Sequence, residues 1–185
     1  LTFAVKAEVD GVKMSDDEML GFAFNLFIGG LDTISTNLGL QFWHLATHPE
    51  DQAKLRANPE LIPDAIEELL RAYAAVSTFR TVANKVEVNG ITMMPGDKVI
   101  MSTTLAGRDP AVWENPAEVR LDRKPQHVSF AIGPHLCLGL HLARRELSYA
   151  INTFLREIPR FSLAPGKDVE FHLGLIQPIE LPLVW

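Results

Sequence analysis

FAIGPHLCLGLHLARRE, running from Phe130 to Glu146, surrounds the only cysteine of the chain with two glycines, two histidines and the start of a basic helix. The sequence passes from irregular chain into helix near Cys137, where free N–H groups and the helix dipole are expected to stabilise a thiolate. Gly133 and Gly139 leave bare backbone close to the sulfur, so that a flat ligand can approach within contact distance. His135 is placed to reach an acidic edge of that ligand. The setting suits a heme iron held by a thiolate. Two plainer alternatives stand beside it: an inert core cysteine, or a Cys/His cluster that holds zinc.

A second stretch, IGGLDTIST from Ile28 to Thr36, lies inside a long apolar-periodic segment. That segment opens with a capping box, Ser15 to Glu18, and closes before His48-Pro49, which predicts a helix over 15–46. Gly29 and Gly30 in its middle each cost up to ~1 kcal/mol relative to alanine. They therefore call for a local reason, such as a bulge or the approach of a ligand. Asn25, Gly29 and Thr33 share one face, and Asp32 sets an acid beside the hydroxyl. The alternative is a kinked core helix in which Thr33 bonds back to a carbonyl and Asp32 pairs with a cation.

The third stretch is EELLR, Glu67 to Arg71, on a helix expected over 62–73 that Pro63 and Asp64 begin. Glu68 and Arg71 are one turn apart and can pair on one face. Taken alone, such a pair is common and weak.

Together these motifs resemble those of the cytochrome P450 family, the heme-thiolate monooxygenases. The family's cysteine loop reads Phe, two residues, Gly, one, His or Arg, one, Cys, one, Gly, and Phe130, Gly133, His135, Cys137 and Gly139 occupy those places. The resemblance implies a mainly α fold with small β-sheets (α+β) and heme b as cofactor. It implies Cys137 as the axial ligand of the heme iron, His135 and Arg80 as partners of the heme propionates, and Phe130 and Gly139 packed near the porphyrin and sulfur. Gly29 and Gly30 would open a groove for dioxygen, Thr33 would hand it a proton, and Asp32 would relay protons from solvent. Glu68 and Arg71 would form a triad with a later basic residue, Arg123, bracing the heme-binding side.

The resemblance covers the whole chain in order, while family members are much longer. Residues 1–185 thus look like the C-terminal half of one cytochrome P450 domain: distal helix 15–46, Glu-x-x-Arg helix 62–73, meander 108–130, heme-thiolate loop 130–139 and proximal helix 138–157. The missing N-terminal half would supply the roof of the substrate pocket. The long helix would have one face covered from within this chain.

Pocket candidates are Asn25 and Ile28, Val76 and Thr78, and Leu175 and Ile176. Most are small or apolar, as hydroxylation of a compact hydrocarbon requires. The strings GGLDT, CLGLHLARRE and LPLVW are similar to those of camphor-hydroxylating members, which implies terpenoid-like substrates and electrons from an iron-sulfur ferredoxin and its reductase. Asn25 and Thr78-Phe79 depart from that pattern. The chain has no Rossmann or flavin motif of its own. His141, Arg144 and Arg145 are candidates for docking an acidic ferredoxin, or else a solvated basic face. Basic residues in the first turns oppose the helix dipole, so binding of a partner or pairing with a heme carboxylate is the expected compensation.

The net charge of −6 argues against a nucleic-acid partner. A single cysteine precludes an intrachain disulfide. There is no uninterrupted run of eighteen apolar residues and no signal peptide, so a cytoplasmic enzyme without a membrane segment is expected. Residues 1–14 read as extended around an Asp10-Gly11 turn. Val86–Val88 and Ile91–Met93 flank Asn89-Gly90 as a hairpin, a strand is expected over 98–103, and short strands over 161–185. Three functions stay open from sequence: a heme monooxygenase, a heme-binding protein without turnover, and a non-heme Cys/His metal module.

Overall fold

In the computed structural model, residues 2–173 and 175–185 are described; Leu1 and Gly174, inside segments expected to be extended, lie outside the described residues. The chain opens with α1 (Thr2–Lys6), β1 (Glu8–Val9) and β2 (Val12–Lys13). Asp10 and Gly11 turn the β1–β2 hairpin with φ of 53° and 79°. The helical turn α1 corrects the extended chain expected there, because the Asp10-Gly11 signal constrains only the residues beside it.

Helix α2 (Asp16–Thr47) begins as its capping box dictates. The Glu18 N–H donates to Ser15 Oγ at 3.3 Å and the Ser15 N–H to the Glu18 carboxylate at 2.8 Å. That second bond, chiefly, holds Glu18 below the usual carboxylate range. Next come α3 (Pro49–Ala57), α4 (Ile62–Ala72), β3 (Ser77–Thr81), β4 (Val86–Val88), β5 (Ile91–Met93), β6 (Lys98–Ser102) and α5 (Thr103–Gly107). Asn89 and Gly90 both take positive φ, as a tight β4–β5 turn requires. The strand expected to reach Thr103 stops at Ser102, whose hydroxyl caps α5 by accepting the Leu105 N–H. A long irregular stretch leads to α6 (Leu140–Glu157), and β7 (Ser162–Leu163), β8 (Phe171–Leu173), β9 (Ile176–Pro178) and β10 (Leu183–Val184) follow. Among the described residues all strand pairs are antiparallel and two-stranded.

The core forms where α2, α3, α4 and α6 converge. Leu45, Leu55, Ile66, Leu147, Ile151 and Leu155 are fully buried there, each contributing roughly 1.5–3 kcal/mol of apolar burial. The spacing of Leu147, Ile151 and Leu155 on α6 is the four-residue stripe of a helix with one buried face. Phe42, Phe154 and Phe161 close the core, with ring centroids 4.7–6.2 Å apart. His44, also fully buried, ties α2 to its neighbours through Tyr73 Oη at 2.9 Å and Asp51 at 2.8 Å.

Burial on α2 begins at Thr36. Before it, Phe24, Leu26, Phe27 and Leu31 are at least half exposed, and Phe22 and Ile28 only slightly less so. The expected cover for the face of this half opposite Asn25, Gly29 and Thr33 is not present among the described residues. The elements that pack on α2, chiefly α6, α3, β7 and β9, fit against its C-terminal half. The exposed half also makes α2 long and apolar enough, by length and composition, to cross a membrane. The absence of an unbroken apolar run in the sequence had pointed the other way.

Candidate active site

One buried carboxylate on α4 gathers the irregular stretch that precedes the cysteine loop. Glu68 and Arg71, both fully buried, meet in a fork: Arg71 Nε and Nη2 donate to the two Glu68 oxygens at 2.7 and 2.8 Å. Arg71 also donates to the carbonyls of Gly107, Pro116 and Glu118. Arg123 Nε reaches Glu68 at 3.0 Å, and the Arg120 N–H reaches it at 2.9 Å. The irregular stretch has no ladder to satisfy its carbonyls, so the guanidinium groups take that place. Gly107 is required here because a Cβ would lie 2.2 Å from the Arg71 carbonyl oxygen. The three residues Glu68, Arg71 and Arg123 thus form one network.

The chain entering the cysteine loop is tied to the same helix, with Ser129 Oγ donating to the Leu70 carbonyl at 2.8 Å. Ala131 takes φ of +57° immediately after Phe130, a conformation sparsely populated by residues with a Cβ. A 3-10 turn covers Gly133–His135, and the Cys137 N–H donates back to the Phe130 carbonyl at 2.9 Å. The sequence suggested free N–H groups and a helix end beside the sulfur. The Cys137 N–H itself is bonded, and α6 starts at Leu140 rather than at 138, with Gly139 as its cap and no side-chain bond there. Cys137 is an exposed free thiol. A Cβ at Gly139 would sit 3.9 Å from its sulfur, so glycine keeps that side of the sulfur bare.

A cleft of about 760 Å³ opens above the loop, within the ~300–1,000 Å³ usual for small-molecule sites. Several expected site residues meet in its wall: Gly29, Gly30 and Thr33 from α2, Val76, Thr78 and Arg80 around β3, and Phe130, His135, Cys137 and Gly139 from the loop. Added Cβ atoms at Gly29 and Gly30 meet nothing within 4 Å, so the α2 wall is open there. Thr33 Oγ1 donates to the Gly29 carbonyl at 2.6 Å, the back-bonded arrangement of the plainer alternative. Asp32 is exposed, has no side-chain partner among the described residues, and lies outside the lining. Asn25, Ile28, Gly133, Leu175 and Ile176 also lie outside it. Ile176 stands just behind the wall, its N–H donating to the carbonyl of Ala75, a lining residue.

Arg144 needs correction as a residue free for an incoming partner. Its Nε and Nη2 donate to the two oxygens of Glu67, both at 2.7 Å, and its guanidinium lies 4.9 Å from the Phe130 ring centre. Glu67, and not a partner or a heme carboxylate, is thus what compensates this cation in the first turns of α6. Burial raises the Glu67 pKa, but the bonds from Arg144 and then His127 outweigh it and bring the value down to about 2. The bond to Glu67 raises that of Arg144. His141 and Arg145 remain exposed.

Sequence reading missed Asn37, Met101 and Ala106 in the cleft wall, and Glu67 with His127 beneath the loop. Asn37 was findable, being one turn beyond Thr33 on the same face. Met101 was not, because its place follows from the Thr78↔Met101 register of β3 and β6.

The residues fit a thiolate-held porphyrin: a soft sulfur ligand at the surface of a large apolar cleft, with Arg80 and His135 in the same wall. The fold and this cleft define a heme-thiolate protein. The cytochrome P450 family model matches residues 1–179, and the chain belongs to that family, whose members bind heme b. It is 35% identical, over its whole length, to the probable cytochrome P450 127A1 of Sinorhizobium fredii and covers 45% of it. It is 36% identical to nocardicin C N-oxygenase of Nocardia uniformis, of which it covers 48%. The crystal structure of cytochrome P450 CYP101C1 superposes with a TM-score of 0.92 at 39% identity, over 98% of this chain and 47% of that one. The chain thus spans about half the length of the relatives it matches.

Proposed function

We propose that this chain is the cofactor-holding, C-terminal half of a heme-thiolate monooxygenase that hydroxylates a small apolar, terpenoid-like substrate. The observation that carries this reading is the presence of Cys137 and Thr33 in one apolar cleft, from two elements far apart in sequence. Heme b, when bound, supplies the activation of dioxygen and the insertion of one oxygen atom into a C–H bond. Cys137 would hold it through its sulfur. Arg80 and His135, cation and donor in the same wall, would bind its carboxylates.

Thr33 is the candidate to hold and pass a proton at its Oγ1, with Asp32 collecting protons from solvent, for which its exposure is suited. For that Thr33 must turn its hydroxyl from Gly29 toward the cleft. Val76, Thr78 and Met101 would exclude water and seat the substrate. Dioxygen would enter along Gly29 and Gly30. Electrons would come from an iron-sulfur ferredoxin and its reductase, docking at His141 and Arg145. The N-terminal half of the fold would cover the exposed half of α2, in a cytoplasmic setting that the bacterial origin of the relatives supports.

One observation favours a second reading, heme binding without turnover: the Thr33 hydroxyl is engaged by Gly29. Against the third, no group of three His, Cys, Asp or Glu able to hold a metal ion occurs among the described residues. Heme titration of the chain joined to the N-terminal half of a relative tests the proposal. One heme per chain, lost in Cys137→Ser, is expected. Uptake that ignores Cys137 would contradict it.

A further inference from the structure

We propose that Glu67 and Arg144 are positioning residues that clamp the two ends of the Cys137 loop together. Phe130 begins the loop and Arg144 lies beyond its end on α6. The Arg144 guanidinium is the piece that joins them. One face covers the Phe130 ring at 4.9 Å, while its edge is fixed by the two-pronged bond to Glu67. Glu67 is itself held on α4, next to the buried Glu68 of the Glu68 and Arg71 network, so the clamp ties the loop to that helix.

Two more contacts tie the incoming strand of chain to the same helix. His127 Nε2 stands 3.2 Å from the second Glu67 oxygen, with its side chain only 2% exposed. Ser129 Oγ donates to the Leu70 carbonyl at 2.8 Å. The chain entering the loop is thereby pinned to α4, and the chain leaving it is pinned to the same Glu67. Between these points the loop has one long-range backbone bond, from the Cys137 N–H to the Phe130 carbonyl. That bond fixes where the sulfur stands and depends on Phe130 staying under Arg144. A planar fork is needed for both contacts, so a lysine at 144 would not replace it.

The inference rests on the proposed cofactor role of Cys137, but its test does not. Hydrogen exchange of the Cys137 amide in the heme-free chain joined to the N-terminal half of a relative reads the clamp directly, with the Leu69 and Ile151 amides as internal references. Glu67→Gln and Arg144→Gln should each speed Cys137 exchange on the order of tenfold, and the double variant no more than either alone. The reference amides should keep their rates, which a general loss of stability would not allow. Arg144→Lys should resemble Arg144→Gln. Unchanged Cys137 exchange, equal acceleration at all three amides, or additive effects would overturn the clamp. With heme added, the variants should show a larger fraction of carbonyl complex without the thiolate-type band. Failure of the unsubstituted, joined protein to give that band would count against the cofactor role and leave the exchange result standing.

Discussion

Thr33 Oγ1 lies 2.6 Å from the carbonyl oxygen of Gly29, one turn earlier on α2. The bond engages the hydroxyl in the open part of the cleft wall, where neither Gly29 nor Gly30 has a side chain to compete for it. A back-bonded threonine keeps its acceptor lone pairs and can still receive a hydrogen bond. The hydroxyl can therefore receive a proton as it stands, and passing one on requires it to turn from Gly29 toward the cleft.

Thr33→Ala tests that step. Where Thr33 delivers protons, the variant assembled with the other half of the fold should bind substrate and take up electrons nearly as before, but divert reduced oxygen to hydrogen peroxide. Product formed per NAD(P)H consumed is the measurement. An unchanged yield would assign Thr33 a purely structural role, and Asp32→Asn should slow turnover with a smaller loss of yield.

Glycines at 29 and 107 should respond in opposite ways to alanine. At Gly107 the new Cβ would stand 2.2 Å from the Arg71 carbonyl oxygen, so the buried Glu68 network must shift. Breaking such a network costs about 3–5 kcal/mol, and chemical denaturation should show most of it. Gly29→Ala meets open space and removes a poor helix former, so stability should rise by up to ~1 kcal/mol. Heme uptake should nevertheless fall, since the added methyl narrows the wall.

Acid should loosen the loop through Glu67. Against the effect of burial, the bonds from Arg144 and His127 hold its carboxyl down to about 2 in the folded chain, whereas it returns to about 4.5 when unfolded. A lowered folded value contributes stability that is fully present above the unfolded value and is lost as pH falls toward the folded one. The Glu67 contribution should therefore fade between roughly pH 4.5 and 2. Denaturant midpoints measured across that window should slope less steeply in Glu67→Gln than in the unsubstituted chain.

The parts legible in the sequence were those written in local chemistry. Ser15 and Glu18 announced the start of α2, Asn89-Gly90 the β4–β5 hairpin, and the spacing around Cys137 the family. What escaped depended on distance in the chain. Glu67 and Arg144 are 77 residues apart, and nothing in either neighbourhood points to the other. Arg144 therefore read as a surface cation. Met101 entered the cleft only through strand register. The bare half of α2 escaped for a different reason: its apolar pattern is that of a buried helix, and only the packed structure shows that its cover is not within these residues.

The central claim is that Cys137 supplies a thiolate to heme iron, and the spectrum of the reduced carbon monoxide complex tests it most directly. With the chain assembled and heme-loaded, a strongly red-shifted Soret band is expected. Cys137→His should retain heme and lose that band. A folded, heme-loaded protein without the band, or a band that survives in Cys137→His, would contradict the account.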